Sequence, residues 1–353
     1  MQKTTPPQPD EIEISLFGKG IGESIVVHFG DGRYAIIDSF INPETNNPIA
    51  IDYLQAMGIS LDKIELVIST HWHNDHTAGL TKILEKTSTD VKFVTYPILE
   101  KEKFNNFIES GLKRNVKSTT EFSNILNNFI LKRKLKLVYA SHNKLVYNII
   151  GKDISHGVDV NFFALSPQDK ELSDYLLYYL KLPNKNDNSY SFPDDNEISI
   201  VIWLQIGDDI ILLGGDLEEK NANTTGWKAV IQNHTLNGKA NLFKVPHHGS
   251  ISSHNNNIWS NLLNPHPISI LSVFNSSGLP KETDKNRIKG LSAKTFIVGS
   301  SAKKVKEIKR LTKDFGIKKI KALPSNIGIV RARKKISTVG NWNIELFGSV
   351  ESL

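Results

Sequence analysis

Short apolar runs separated by polar or glycine-rich turns set the rhythm of this chain. IVVHF and YAIIDS flank Gly30-Asp31-Gly32, a hairpin signal, so EISLFGKGIGESIVVHFGDGRYAIIDSF predicts two or three strands. The segment from Pro48 to Met57 predicts a helix, closed by Gly58 in the left-handed region. Ile64–Thr70 (IELVIST) is almost continuously apolar, as a buried strand is, and it runs directly into His71. Phe104, Ile108 and Leu112 recur at helical spacing and Phe122, Ile125 and Phe129 continue it, which predicts a helical insertion over 100–135. Short strands are expected from Leu135 to Leu165. Residues 166–195 are polar and read as an irregular loop with one helix near Tyr175–Leu180.

ISIVIWLQI, DIILLGG and LFKVP read as three further strands, the last ending on His247. In the final third, Val305, Ile308, Leu311 and Phe315 mark one helix face before Gly316, with Lys304, Lys306, Lys309, Arg310 and Lys313 on the other. Strands alternate with helices without an internal repeat or a Rossmann-type glycine loop. This predicts a single α/β domain over 12–353 behind a Pro-rich flexible arm at 1–11.

Composition narrows the chemistry. The 353 residues include no cysteine, which excludes disulfide frameworks, thiolate zinc sites, iron–sulfur clusters and Cys nucleophiles. No apolar run approaches the roughly 18–20 residues that span a bilayer, and MQKTTPPQPDE has no apolar signal core, so a cytoplasmic protein without membrane association is expected. The net charge of +6 is unevenly spread: residues 281–335 carry eighteen Lys and Arg against four Asp and Glu, leaving −8 elsewhere. Such a segment can attract polyanions, although lysine-rich helix faces are commonly just solvated.

The densest chemistry is His71-Trp72-His73-Asn74-Asp75-His76, four metal-competent side chains in six residues straight after the strand. Imidazole and carboxylate ligands suit zinc, manganese or iron. Asp216 in LLGGDLE and His247-His248 in KVPHHGS also stand at the ends of apolar strands, where α/β folds build their sites. Of the other histidines, His28 reads as packing, and His142, His156, His234 and His266 as loop residues; His254 also reads first as a surface residue, with a place facing the cleft as the lesser alternative.

HxHxDH after a buried strand, Gly215-Asp216 and a late strand-end His resemble the metallo-β-lactamase superfamily, with Asp38 in YAIIDSF matching its first motif. The finer resemblance is to the hydrolase half of ComEC-type DNA-uptake proteins. It rests on Gly20-Ile21-Gly22-Glu23-Ser24, Asn196-Glu197-Ile198-Ser199 and Val245-Pro246-His247-His248-Gly249-Ser250, and covers about residues 12–275. The resemblance implies a four-layer αβ/βα sandwich with a C-terminal basic αβ extension. It implies one or two divalent ions, zinc first and manganese as the alternative: His71 and His73 on one, Asp75, His76 and His248 on the other, Asp216 between them. Asp75 and His247 take catalytic roles, and Asp38, Asn196 and Ser250 support the site or contact substrate.

Two departures stand out. The stretch Asp194-Asp195-Asn196-Glu197 lacks the third metal-1 His of most members, which leaves that position to Asp195, His247 or water. Asn275-Ser276-Ser277-Gly278-Leu279-Pro280 replaces an Asn-aromatic-x-His-Pro stretch. The implied activity is hydrolysis by a metal-activated hydroxide, on a phosphodiester of nucleic acid or nucleotide, with Lys304, Lys306, Lys309, Arg310 and Lys313 as the nucleic-acid track. The alternatives are hydrolysis of a small ester, lactone or amide, and a catalytically impaired binding component working with a protein partner in a larger system.

Overall fold

The computed structural model describes residues 5–97, 117–130, 132, 135–180, 195–220, 222–299, 327–336, 338 and 340–353. The chain opens with three antiparallel strands, β1 (Glu11–Gly18), β2 (Glu23–His28) and β3 (Tyr34–Ile37), the second turn being the expected Gly30-Asp31-Gly32 with all three residues at positive φ. Helix α1 (Ile49–Ala56) ends at Gly58 with φ +74°. Strand β4 (Ile64–Ile68) leads into the short helix α2 (Asn74–Thr77), then α3 (Leu80–Lys86) and β5 (Lys92–Thr95). Helix α4 (Lys117–Ile125) continues into one π turn, Leu126–Ile130, ahead of β6 (Lys136–Tyr139). Phe104, Ile108 and Leu112 of the expected insertion lie outside the described residues.

The second half begins with β7 (Lys144–Ile149) and β8 (Val160–Ala164), followed by α5 (Asp169–Leu180). This helix starts earlier than the expected Tyr175, because Glu171 accepts the Gln168 backbone N–H at 2.7 Å and caps a first turn rich in polar residues. Strands β9 (Ile202–Ile206) and β10 (Asp209–Leu213), helix α6 (Gly226–Asn233), β11 (Ala240–Lys244) and β12 (Leu263–Ser272) follow. Helix α7 (Glu282–Leu291), β13 (Lys294–Val298), β14 (Gly328–Lys335), β15 (Asn343–Gly348) and β16 (Val350–Ser352) complete the described chain.

Among the described residues, sixteen strands form two eight-stranded sheets, ordered β15-β14-β1-β2-β3-β4-β5-β6 and β16-β13-β12-β11-β10-β9-β8-β7. Alternation along the strands builds the layers. On β2, Ile25 and Val27 face the inter-sheet core with Leu16, Leu66, Phe162, Leu204, Leu242 and Ile270. Val26, between them, faces outward and packs with Ile51 and Leu54 of α1 and Ile83 of α3. Trp203, Leu212 and Phe243 line the outer face of the second sheet, against Trp227 of α6 and Ile288 of α7. The result is the helix–sheet–sheet–helix sandwich of the metallo-β-lactamase fold.

The basic C-terminal segment extends both sheets. Strand β13 adds in parallel to β12, while β14 pairs antiparallel with β1 from Glu11↔Lys335 to Gly18↔Gly328. Its described charge is largely committed internally. Arg333 stands opposite buried Glu13 with Nη2 2.7 Å from the carboxylate, and Arg331 stands opposite Glu345 at 2.8 Å. Lys285 pairs with Glu351 and Arg287 with Asp284. Lys304, Lys306, Lys309, Arg310 and Lys313 lie outside the described residues.

Candidate metal centre

Strands β3 to β6 run parallel in one sheet and β10 to β13 in the other, and both sets end at the same edge of the sandwich. Asp38 follows β3, His71 follows β4, Asp216 follows β10 and His248 follows β11. Strand ends thereby converge four sequence-distant groups, as parallel sheets do at their carboxyl edges.

Asp38 organises the first half. It has φ +58°, which an Asp tolerates, and is 2% exposed. Its Oδ1 accepts the Thr70 backbone N–H at 2.8 Å, and its Oδ2 accepts the Thr70 hydroxyl at 2.6 Å and His76 Nδ1–H at 2.7 Å. The Thr70 hydroxyl has one proton and gives it to a carboxylate, so toward His71 Nδ1, 3.0 Å away, it acts as acceptor. Both imidazoles therefore carry their proton on Nδ1 and turn Nε2 to the centre. Among the described residues, nothing hydrogen-bonds to the buried Nε2 of His71. The His71 ring lies 4.8 Å from that of His73 and 4.2 Å from that of His76.

The second half faces it. His76 Nε2 is 3.5 Å from Asp75 Oδ2 and 3.4 Å from Asp216 Oδ2. His248 Nε2 is 3.6 Å and 3.4 Å from the same two oxygens. Four ligand atoms thus meet around one point. His248 stands at φ +52° after His247 at +47°, and Gly249 follows at +80°. A Cβ on Gly249 would meet Leu271 at 2.8 Å and Ile288 at 2.9 Å, so this left-handed run needs glycine there. Phe274 stacks on the His248 ring at 5.1 Å.

These groups set one another's charge. Burial pushes Asp216 up, but His76, His248 and Lys244 outweigh it and hold it well below the usual carboxylate range. Asp75 behaves likewise, burial being overcome by His76 and His248. His76 is lifted well above its ordinary value, and His248 to about 9: burial opposes the lift, and Asp216 is the leading attraction in each case. His71 goes the other way, lowered by burial and then by His76 and His73.

The donor set fits a divalent ion. Asp75, His76 and His248 each offer an atom within 4.8 Å of the others, and so do Asp38, His71 and His76, and Glu23, His76 and Asp216. Nitrogen and oxygen donors without sulfur suit zinc or manganese. A metal ion at these nitrogens would compete with their protons, so binding is expected to release protons.

Other sequence-expected residues take different places. His247 turns to Glu218, with Nδ1 3.1 Å from Oε1, at the partly exposed rim. The Glu218 carboxyl is lowered, first by that hydrogen bond. The Ser250 hydroxyl accepts the Ser252 backbone N–H and caps the next turn. Asn196 is buried in the turn Asp195–Ile198, the stretch without the third His. That stretch leads to Ser199, whose Oγ accepts the Asp216 backbone N–H at 2.9 Å and lies 3.5 Å from His71 Nδ1. His254 bonds to Asn256 at 2.9 Å, and His28 joins the Glu11 carbonyl at 2.8 Å. Sequence reasoning did not single out Thr70, Glu218, Lys244 or Ser272, and gave Ser199 no role at the site. Ser199 was visible in Asn-x-x-Ser, and Lys244 was visible as a lysine inside the apolar run before the paired histidines.

Known proteins share parts of this sequence and fold. Residues 18–102 match the family model of the metallo-beta-lactamase superfamily, a span that includes Asp38 and the whole HxHxDH motif. An endoribonuclease YSH1 of Mycosarcoma maydis is 30% identical over 81 residues, 22% of this chain and 9% of that protein. The metallo-beta-lactamase fold protein YhfI from Bacillus subtilis superposes at a TM-score of 0.41 and 10% identity, covering 82% of this chain and 95% of that one. Zinc-bound PqqB from Methylobacterium extorquens gives a TM-score of 0.36 at 13% identity, covering 79% and 87%.

Proposed function

We propose that this protein is a metal-dependent phosphodiesterase acting on nucleic acid or a nucleotide. The observation that carries the reading is that His76 Nε2 and His248 Nε2 each lie 3.4–3.6 Å from both Asp75 Oδ2 and Asp216 Oδ2, beside a His71 Nε2 with no hydrogen-bond partner among the described residues. The local similarity to an endoribonuclease, 30% identical over 81 residues, supports the phosphodiester over other esters. His71, His73 and Asp216 would hold one ion, and Asp75, His76, His248 and Asp216 a second. A divalent centre supplies Lewis acidity to a phosphoryl oxygen and lowers the pKa of water toward neutrality.

The chain's own groups do the rest. Asp75 orients the attacking water and accepts its proton. As the P–O bond to the leaving alcohol breaks, His247 passes a proton to the departing oxygen. Glu218 holds the His247 ring through Nδ1, which leaves Nε2 for that transfer. Water and phosphodiester thus yield a phosphomonoester and an alcohol. The basic segment with Lys304, Lys306, Lys309, Arg310 and Lys313 supplies the polymer track in this proposal.

The test is metal content by mass spectrometry together with turnover of bis(4-nitrophenyl) phosphate, oligonucleotides, lactones and thioesters, for the parent and Asp216→Ala. Phosphodiester turnover that falls with metal content in the variant is expected. Turnover of lactone or thioester alone would replace this reading with small-ester hydrolysis. Bound metal near zero after zinc and manganese soaking would overturn it.

A further inference from the structure

Behind the ligands lies a buried charged assembly that neither the mechanism nor the motif explains. Lys244 is 0% exposed inside β11, and Glu23 is 2% exposed at the start of β2. Lys244 Nζ lies 2.6 Å from Glu23 Oε1, donates to the Gly215 carbonyl at 2.8 Å, and reaches Asp216 Oδ1 at 3.4 Å. Its three protons have three acceptors. The other Glu23 oxygen, Oε2, accepts the Ser272 hydroxyl at 2.5 Å, and Ser272 Oγ stands 2.8 Å from His248 Nδ1.

We infer that Glu23, Lys244 and Ser272 are positioning residues of the metal centre: they set the tautomer of His248 and reserve one oxygen of Asp216. The inference rests on the metal-dependent reading above. Glu23 is paired with an ammonium and accepts only, so the single Ser272 proton goes to Glu23. Ser272 must then accept from His248 Nδ1–H, which leaves Nε2 as the nitrogen that faces Asp75 and Asp216 and is free to ligate a cation. Asp38 and Thr70 do the same for His71, so the centre is held by two carboxylate–hydroxyl–imidazole relays, one within the first sheet and one that bridges the two sheets. Lys244 engages Asp216 through Oδ1, and Oδ2 is the oxygen that faces His76 and His248. A buried ion pair is weak evidence for stability, since apolar residues of equal volume often serve as well or better. Orientation of two ligands gives this one a reason to persist. Because Glu23 neutralises Lys244, the brace adds no net charge to repel a cation.

The experiment titrates zinc into the metal-free parent, Ser272→Ala and Glu23→Gln in competition with a chromophoric chelator. Near-ultraviolet circular dichroism checks each fold, and nitrogen-15 spectra of the zinc-loaded proteins report the His248 Nδ1–H. Ser272→Ala is expected to weaken zinc binding about 10–100-fold, the range for removal of a ligand's hydrogen-bond partner, and to abolish the hydrogen-bonded Nδ1–H signal. Glu23→Gln is expected to do at least as much: its amide N–H donates to Ser272 and turns the hydroxyl proton toward His248. Parental affinity in both folded variants, or a His248 that binds zinc through Nδ1 in the parent, would overturn the inference. If Glu23→Gln does not fold, Ser272→Ala decides alone. A parent that binds no zinc would sink the metal reading itself.

Discussion

His76 donates from Nδ1 to Asp38 Oδ2 at 2.7 Å across 38 residues of chain, and both groups are buried. The same carboxylate holds Thr70, and through it His71, so one side chain orients two ligands. Asp38→Asn keeps the left-handed backbone and the size but replaces one acceptor oxygen by a donor. Zinc affinity should fall roughly 10–100-fold, with the fold retained. Chelator competition and circular dichroism on the same samples check both halves of that expectation.

Gly215 tests the backbone beneath Asp216. It has φ +52°, and a Cβ there would meet Ser199 Oγ at 2.6 Å and the Ile200 carbonyl oxygen at 2.8 Å. Gly215→Ala should cost about 1–3 kcal/mol from the strained backbone and push Ser199 off the Asp216 N–H. Denaturant unfolding and metal titration should both register it, whereas Gly58→Ala, strained but with open space, should affect stability alone.

If His247 protonates the leaving oxygen, its removal should matter in proportion to how badly the leaving group needs a proton. His247→Ala should slow hydrolysis of alkyl phosphodiesters about 10²–10⁴-fold, and nitrophenyl esters far less. Glu218→Gln should show the same pattern in weaker form. Equal losses on both substrate classes would assign His247 a binding role.

Polymer recognition has its own signature. Charge reversal of Lys304, Lys306 and Lys309 should leave bis(4-nitrophenyl) phosphate turnover unchanged while oligonucleotide binding weakens. The slope of log affinity against log salt should flatten by roughly 0.7–0.9 for each phosphate that is no longer neutralised. A parallel fall in both activities would make the patch structural.

A pH dependence follows from Glu171, outside the ligand set. Burial is the leading cause that raises its carboxyl from 4.5 to about 7, although the Gly226 and Gln168 N–H groups pull the other way. The folded protein therefore binds this proton more tightly than the unfolded chain, so stability falls as pH rises from about 4.5 and levels off above about 7. The shift corresponds to roughly 3 kcal/mol at 1.36 kcal/mol per unit. Urea unfolding at several pH values should show that slope in the parent, and Glu171→Gln should lack it.

What could be read beforehand, and what could not, follows from sequence distance. His71, His73, Asp75 and His76 share one loop, so their spacing announces the chemistry. Glu23, Lys244 and Ser272 acquire meaning only when β2, β11 and β12 meet, and no local pattern encodes that meeting. Charge misleads for the same reason. Arg331 and Arg333 look like part of a polyanion track, yet register sets them opposite Glu345 and Glu13, the latter 320 residues away. The early start of α5 escaped because its capping side chains are polar and resemble a loop.

The position of β14 has a consequence for how the chain is made. It lies between β1 and β15, so the outer edge of β1 has no partner until residues 328–335 emerge from the ribosome. Every ligand residue has by then been synthesised. A nascent chain therefore holds its metal-binding loops beside an open apolar strand edge, a template for intermolecular pairing. Early metal capture and prompt arrival of the last strands would both guard that interval, and slowing translation beyond residue 300 should raise the aggregated fraction of newly made protein.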